Sequence, residues 1–426
     1  MKLEEDLLHY IWPLIKSQKI KLETTNGESI QIIHCGILNH SEGPDFNEAQ
    51  IKIGDQLWAG SVEVHVKASD WIRHKHQFDS NYLKVILHVV YEADEQVYHS
   101  NEEPIPTLAL KPLITAAQLK TYRSLKYNTL KLPCINLNHR VEPIILSNML
   151  HKAGIERLGL KTDESLAMLE ALKMDWSQFF YYTLAQNFGF KTNASSMLDL
   201  ACSVPLRILA KHNDKPLEIE AIFFGQAGLL STKIKDDFHN ELQRSYIFIK
   251  NKYVLKSNHS LLWKRMKARP SNYPILRISQ FSHLVSQSSH LFSKVLNVQN
   301  VVELIDLFKV KAHDYWAYHV HFGEPRKRKR SVELGKDSLQ LILINTVATT
   351  LFAYGSYTDD AALNERAVNL LLAMPAERNR ITKKYQSCNF NLHSALDSQG
   401  AIGLSQNYCS QKKCMSCLVG EALISV

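Results

Sequence analysis

GPDFNEAQIKIGDQLWAGSVEVHVKASDWIRHKHQFDSNYLKVILHVVYEAD, residues 43–94, shows two kinds of apolar patterning. Ala49, Ile51 and Ile53 alternate with Gln50 and Lys52. Val62, Val64 and Val66 alternate with Ser61, Glu63, His65 and Lys67. A period of two marks strands with one face against a core. Gly54-Asp55 joins the two runs and suits a tight hairpin turn. The third run, KVILHVVYEA over about 84–93, is almost continuously apolar and predicts a central strand covered on both faces.

Upstream, Leu3, Leu7, Leu8, Ile11, Leu14 and Ile15 recur at helical spacing, with Pro13 expected to end or kink the helix. Residues 28–35 read as a further strand. From about Glu142 the period becomes 3.6, in segments that run on to about Lys384, with irregular stretches at 268–277 and 322–335. The FFGQAGLL segment, 223–230, reads as a helix whose Gly225 and Gly228 allow close packing. The expected fold class is therefore α+β. A mixed or antiparallel sheet domain with flanking helices covers 1–135. A larger, mainly α-helical domain covers 136–426, with a Cys-rich tail from about 385.

Composition narrows the classes further. The chain has 426 residues, 45% hydrophobic and 22% charged, with only 16 Gly and 13 Pro, which excludes collagen-like and linker-dominated chains. The formal charge of +8 permits a phosphate-rich partner without demanding one. The start, MKLEEDLLHYIWPL, places acidic residues where a signal peptide is basic. No run approaches the roughly 18 uncharged apolar residues of a membrane helix. Seven cysteines, an odd count crowded at one end, argue for a reducing compartment, and the expectation is a cytoplasmic protein.

Chemistry concentrates on the strand 61–67. Ser61, Glu63, His65 and Lys67 share one face, so a carboxylate, an imidazole and an amine line up in a row. Asp45 precedes the partner strand. Two carboxylates suit a hard divalent ion, Mg²⁺ or Mn²⁺, held by Asp45 and Glu63. His65, or Lys67 in its place, would position water or stabilise developing charge. Simple hairpin register, however, sets residue 46 opposite 63 and turns Asp45 to the other face. A bulge, placed at Ala59-Gly60, or a break at Gly43-Pro44 is needed to bring the carboxylates together. His88 sits among Val85, Ile86, Leu87, Val89 and Val90. Its parity lets it share a face with Glu63 and His65, as a satisfied buried group or as a ligand of a transition-metal site that also draws on Glu63 or Asp79. His74 and His76 lie close by in sequence.

The tail reads YCSQKKCMSCLVG, or Cys409-x4-Cys414-x2-Cys417, which is metal-ligand spacing. Zn²⁺ needs a fourth ligand, Cys388 or His393. An iron–sulfur cluster, with Cys388 as the preferred fourth ligand, is the alternative. Arg326-Lys327-Arg328-Lys329-Arg330 is a basic run, and Arg269 lies in a second basic stretch. Both are candidate contacts to nucleic-acid phosphates. The two readings are a metal-dependent nuclease or phosphodiesterase, and a non-enzymatic nucleic-acid- or protein-binding scaffold with a structural Zn or Fe–S site.

Two resemblances accompany these readings. GILNHSEGPDFNEAQI, WAGSVEVHVKASDW, FFGQAGLL, ARPSNYPILRIS and YCSQKKCMSC, spread over nearly the whole length, resemble a bacterial domain-of-unknown-function family, number two-eight-five-one. That resemblance implies no activity and no site residues. Locally, residues 44–67 resemble the PD-(D/E)xK nuclease superfamily, Pro-Asp followed by an acidic residue, x and Lys on a hairpin. Here His65 stands where that pattern has Lys.

Overall fold

The computed structural model describes residues 3–17, 20–256, 262–264, 272–288 and 290–425. The fold is α+β, and the chain divides into two units. One comprises residues 1–150, 380–391 and 401–426. The other comprises 151–379 and 392–400.

The first unit is built on a seven-stranded sheet. Its strands are β1 (Leu22–Glu23), β2 (Ser29–His34), β3 (Ile37–Leu38), β4 (Phe46–Ile53), β5 (Gln56–Lys67), β6 (Val85–Glu92) and β7 (Thr107–Ala109). The order is β1-β2-β4-β5-β6-β7, with β3 also paired to β4. β4 and β5 form the expected hairpin, with Ile53 opposite Gln56. β6 pairs in parallel with both β5 and β7, so it is internal. Helix α1 (Glu5–Ile15) buries Leu7, Leu8, Ile11, Trp12 and Ile15. The helix runs through Pro13 because Ile15, the last residue of its apolar stripe, is still needed in the core. Two further helices matter below, α2 (Asp70–Arg73) and α3 (Ala116–Lys126).

The tail belongs to this sheet unit, not to the helical one expected from the sequence, and the first boundary falls at 150 rather than 135. The helix Leu418–Ser425 buries Val419, Leu423 and Ile424, an apolar stripe that needs a partner, and it packs on α3. Tyr10 of α1 anchors its far end, donating from Oη to the Glu421 carbonyl at 3.1 Å.

The second unit is helical. Its core is aromatic, with Phe180, Phe188, Phe223 and Phe281 almost fully buried. Helix Pro216–Gln226 meets helix Asp237–Tyr253 at Gly225, where a Cβ would fall 2.2 Å from the Tyr246 ring. Gly225→Ala is therefore expected to cost about 1–3 kcal/mol by overpacking. A denaturation midpoint unchanged by this substitution would show that the two helices do not approach as closely as described. Among the described residues one segment, Lys336–Thr358, is long and apolar enough to cross a membrane, and 67% of its apolar window is buried inside the protein. All seven cysteines are unpaired.

Candidate metal centre

The β4–β5 ladder decides where the carboxylates point. Ile53 faces Gln56 and Ala49 faces Gly60, but Phe46 faces Val62, so one extra residue is absorbed between Phe46 and Ala49. Glu48 occupies the left-handed region there, at φ 61°. The bulge thus lies in β4 and not at Ala59-Gly60. Gly60 has another role. A Cβ on it would fall 2.4 Å from the Lys84 carbonyl, so its missing side chain lets the chain before β6 come close. The shift of one residue brings Asp45 beside Glu63. The Asp45 backbone N–H donates to Glu63 Oε2 at 3.1 Å, and the Val64 N–H donates to Asp45 Oδ2 at 2.9 Å.

Four imidazoles gather around Glu63 and His65. Parallel pairing sets Glu63 beside His88. His65 Nδ1 lies 2.9 Å from His88 Nε2, and His65 Nε2 lies 3.2 Å from His74 Nδ1. Glu63 Oε1 is 3.5 Å from both His65 Nε2 and His76 Nε2. Helix α2 and the turn after it deliver His74 and His76. Lys75 between them takes a left-handed conformation, φ 63°, which helps turn both rings inward. His76 stacks on Tyr82 with centroids 3.8 Å apart. Ligand atoms of His65, His74 and His76 all lie within 4.8 Å of one another. Helix α1 closes the other side, where His9 Nε2 reaches Asp45 Oδ2 at 3.2 Å.

The electrostatics follow from burial. Glu63 is only 5% exposed and His65 1%. Burial, then the charge of Asp45, pushes the Glu63 carboxyl up to about 9. Burial, then the neighbouring imidazoles beginning with His88, drives His65 down to about 2, and His88 falls to about 3 for the same reasons. His9 behaves differently. Burial opposes its charge, but the hydrogen bond and charge of Asp45 outweigh burial and raise its pKa. Burial thus holds His65 and His88 neutral beside a protonated Glu63 carboxyl, groups that can exchange a proton for a cation.

His88 stands behind His65 rather than in the trio and fixes that ring's orientation through Nδ1. His88→Leu leaves His65 Nδ1 buried without its partner. It is expected to cost about 1–3 kcal/mol of stability, read by thermal melting. A variant melting like the parent would show that this contact holds nothing in place.

Lys67 does not join the cluster. Its Nζ lies 3.8 Å from Asp94, and its backbone N–H donates to Asp70, so the strand's last amine is drawn away from Glu63. Glu5, His9, His74, His76 and Tyr82 were absent from the residues singled out by spacing as ligands.

The predicted cysteine site changes membership. Cys409, Cys414 and Cys417 line one cavity, and the fourth cysteine on its wall is Cys134, from the turns after α3. Cys388 does not line it; its carbonyl instead accepts from the Asn138 amide. Burial and the neighbouring sulfurs raise Cys134 strongly and push Cys414 up to about 12.

In the helical unit the basic run follows a small hairpin, His319–His321 with Glu324–Pro325. Arg330 is structural, donating from Nε to the Trp316 carbonyl at 2.8 Å. Lys327, Arg328 and Lys329 are exposed, and Lys329 Nζ lies 5.7 Å from the centre of the half-exposed Tyr318 ring. Arg269 lies outside the described residues.

No curated protein and no solved structure matches the chain. A family described as proteins of unknown function, DUF2851, matches residues 5–380. Its match covers most of the sequence, so the chain belongs to the DUF2851 family.

Proposed function

We propose that the sheet unit is a metal-dependent phosphodiester hydrolase acting on nucleic acid in the cytoplasm. The observation that carries the reading is the β4 bulge, which sets Asp45 beside Glu63 while His65 and His76 meet the same carboxylate and His74 joins their ligand atoms. A donor set of three imidazoles and one carboxylate suits Mn²⁺ or Zn²⁺ better than Mg²⁺, which prefers oxygen ligands. Such an ion, when bound, acidifies a water and polarises a phosphoryl oxygen. Asp45, the more open of the two carboxylates, accepts the proton of the attacking water, and His9 holds Asp45 in place. Lys327, Arg328 and Lys329 contact phosphates and make binding salt-dependent.

The near-complete burial of Glu63 and His65 favours the second reading, a polar cluster that pins the sheet of a binding scaffold. Metal titration by calorimetry, paired with cleavage assays on single- and double-stranded DNA and RNA, separates the two. The full chain is expected to bind one Mn²⁺ or Zn²⁺ and to cleave. The His74→Ala/His76→Ala variant is expected to lose metal affinity by a factor on the order of 100. A parent protein that binds no ion at this cluster and cleaves none of the four substrates leaves only the scaffold.

A further inference from the structure

Three tail cysteines fall within nine positions of each other, and the fold adds a fourth from the other end of the unit. Cys134, Cys409, Cys414 and Cys417 line a single small cavity together with Leu125 and Tyr408. Cys134 and Cys417 are each only 9% exposed. The sulfurs are not idle in this pocket. Tyr385 Oη donates to Cys409 Sγ at 3.2 Å. The backbone N–H groups of Val419 and Gly420, at the start of the last helix, donate to Cys417. Lys384 and Lys413 bring positive charge to the same wall. Gly420 is required by the fold here, because a Cβ on it would fall 1.9 Å from the Cys414 carbonyl. Donors aimed at sulfur and nearby ammonium groups are what thiolates need and what bystander thiols do not.

The spacing of the sulfurs selects the occupant. A tetrahedral zinc with Zn–S near 2.3 Å holds its sulfurs about 3.8 Å apart. Among the described residues, the only group of three or more His, Cys, Asp or Glu ligand atoms lying within 4.8 Å of one another is that of His65, His74 and His76. No three of the four sulfurs therefore lie within 4.8 Å of one another, a spacing that points to a wider, sulfide-bridged centre rather than a single ion. We propose that Cys134, Cys409, Cys414 and Cys417 ligate an iron–sulfur cluster. With four protein ligands, the cluster is structural and ties the turns after α3 to the tail. This inference is independent of the hydrolase reading, since it shares no residue with it.

The test uses the full chain produced in iron-replete medium and purified without oxygen. Iron and acid-labile sulfide are measured per chain, alongside the visible charge-transfer absorption. Expected are stoichiometric iron and sulfide in the parent and in Glu63→Gln and Cys388→Ser. A loss of about tenfold or more is expected in Cys134→Ser and in Cys414→Ser. A parent protein carrying zinc without sulfide, or no metal at these cysteines, overturns the proposal whether or not any variant folds. Loss in Cys388→Ser with retention in Cys134→Ser overturns the ligand assignment.

Discussion

Replacing Glu63 with glutamine is expected to slow metal-dependent phosphodiester cleavage by a factor on the order of 10²–10³, because the one carboxylate shared by the histidines loses its charge. The same change is expected to reshape stability against pH in the metal-free protein. In the folded state Glu63 keeps its proton up to about 9, whereas the unfolded side chain releases it near 4.5. Between those values the unfolded chain binds fewer protons, so stability falls as pH rises, by about 1.4 kcal/mol per pH unit at most. His65 and His88 act in the opposite sense. Their folded values of about 2 and about 3 lie below the ordinary 6.5, so the stability they contribute is present above 6.5 and is lost as pH falls. The metal-free parent is therefore expected to be most stable near the ordinary histidine value of 6.5. Glu63→Gln removes the alkaline decline and leaves the acid one. Urea midpoints across this range check it, and an alkaline slope equal to the parent's would refute the burial argument.

In the helical unit, Phe281→Ala is expected to cost about 3–5 kcal/mol, the largest stability loss from a single side chain described here. Phe281 is fully buried, and its ring meets Phe223 at 5.2 Å, Phe188 at 5.4 Å and Tyr181 at 5.8 Å between centroids. Rings from two helices converge on it, and none can move to fill the void without leaving another contact. The check is a denaturation curve monitored by far-ultraviolet circular dichroism. A cost under about 1 kcal/mol would mean that the neighbours collapse into the space.

The sheet was legible because alternation needs no partner to be recognised. The valines of β5 and the apolar run of β6 announce themselves, and so does the Gly54-Asp55 turn. The meeting of Asp45 and Glu63 was legible only as a requirement. Nothing in FNEAQ says which residue will adopt a left-handed conformation, and Glu48 does so because the ladder on both sides of it is pinned by Phe46 and Ala49 in the core. Local pattern also cannot say which distant residue completes a site. Cys134 is separated from the tail by most of the chain, whereas Cys388 is near it in sequence but does not line the cavity. His9 and Glu5 were hidden in the same way, because their role depends on where α1 packs. Pro13 misled for a simpler reason, since burial of Ile15 outweighs the backbone hydrogen bond a proline cannot make.

The sheet unit is assembled from both ends of the sequence, with nearly all of the helical unit encoded between them. A ribosome making this chain therefore completes the inserted half first, while α3 waits with its packing partner still unsynthesised. Val419, Leu423 and Ile424 arrive only after the helical unit and supply the missing apolar cover beside α3. A nascent chain stalled short of them leaves that surface open to chaperones, so the sheet unit settles only once the chain beyond the helical unit has emerged.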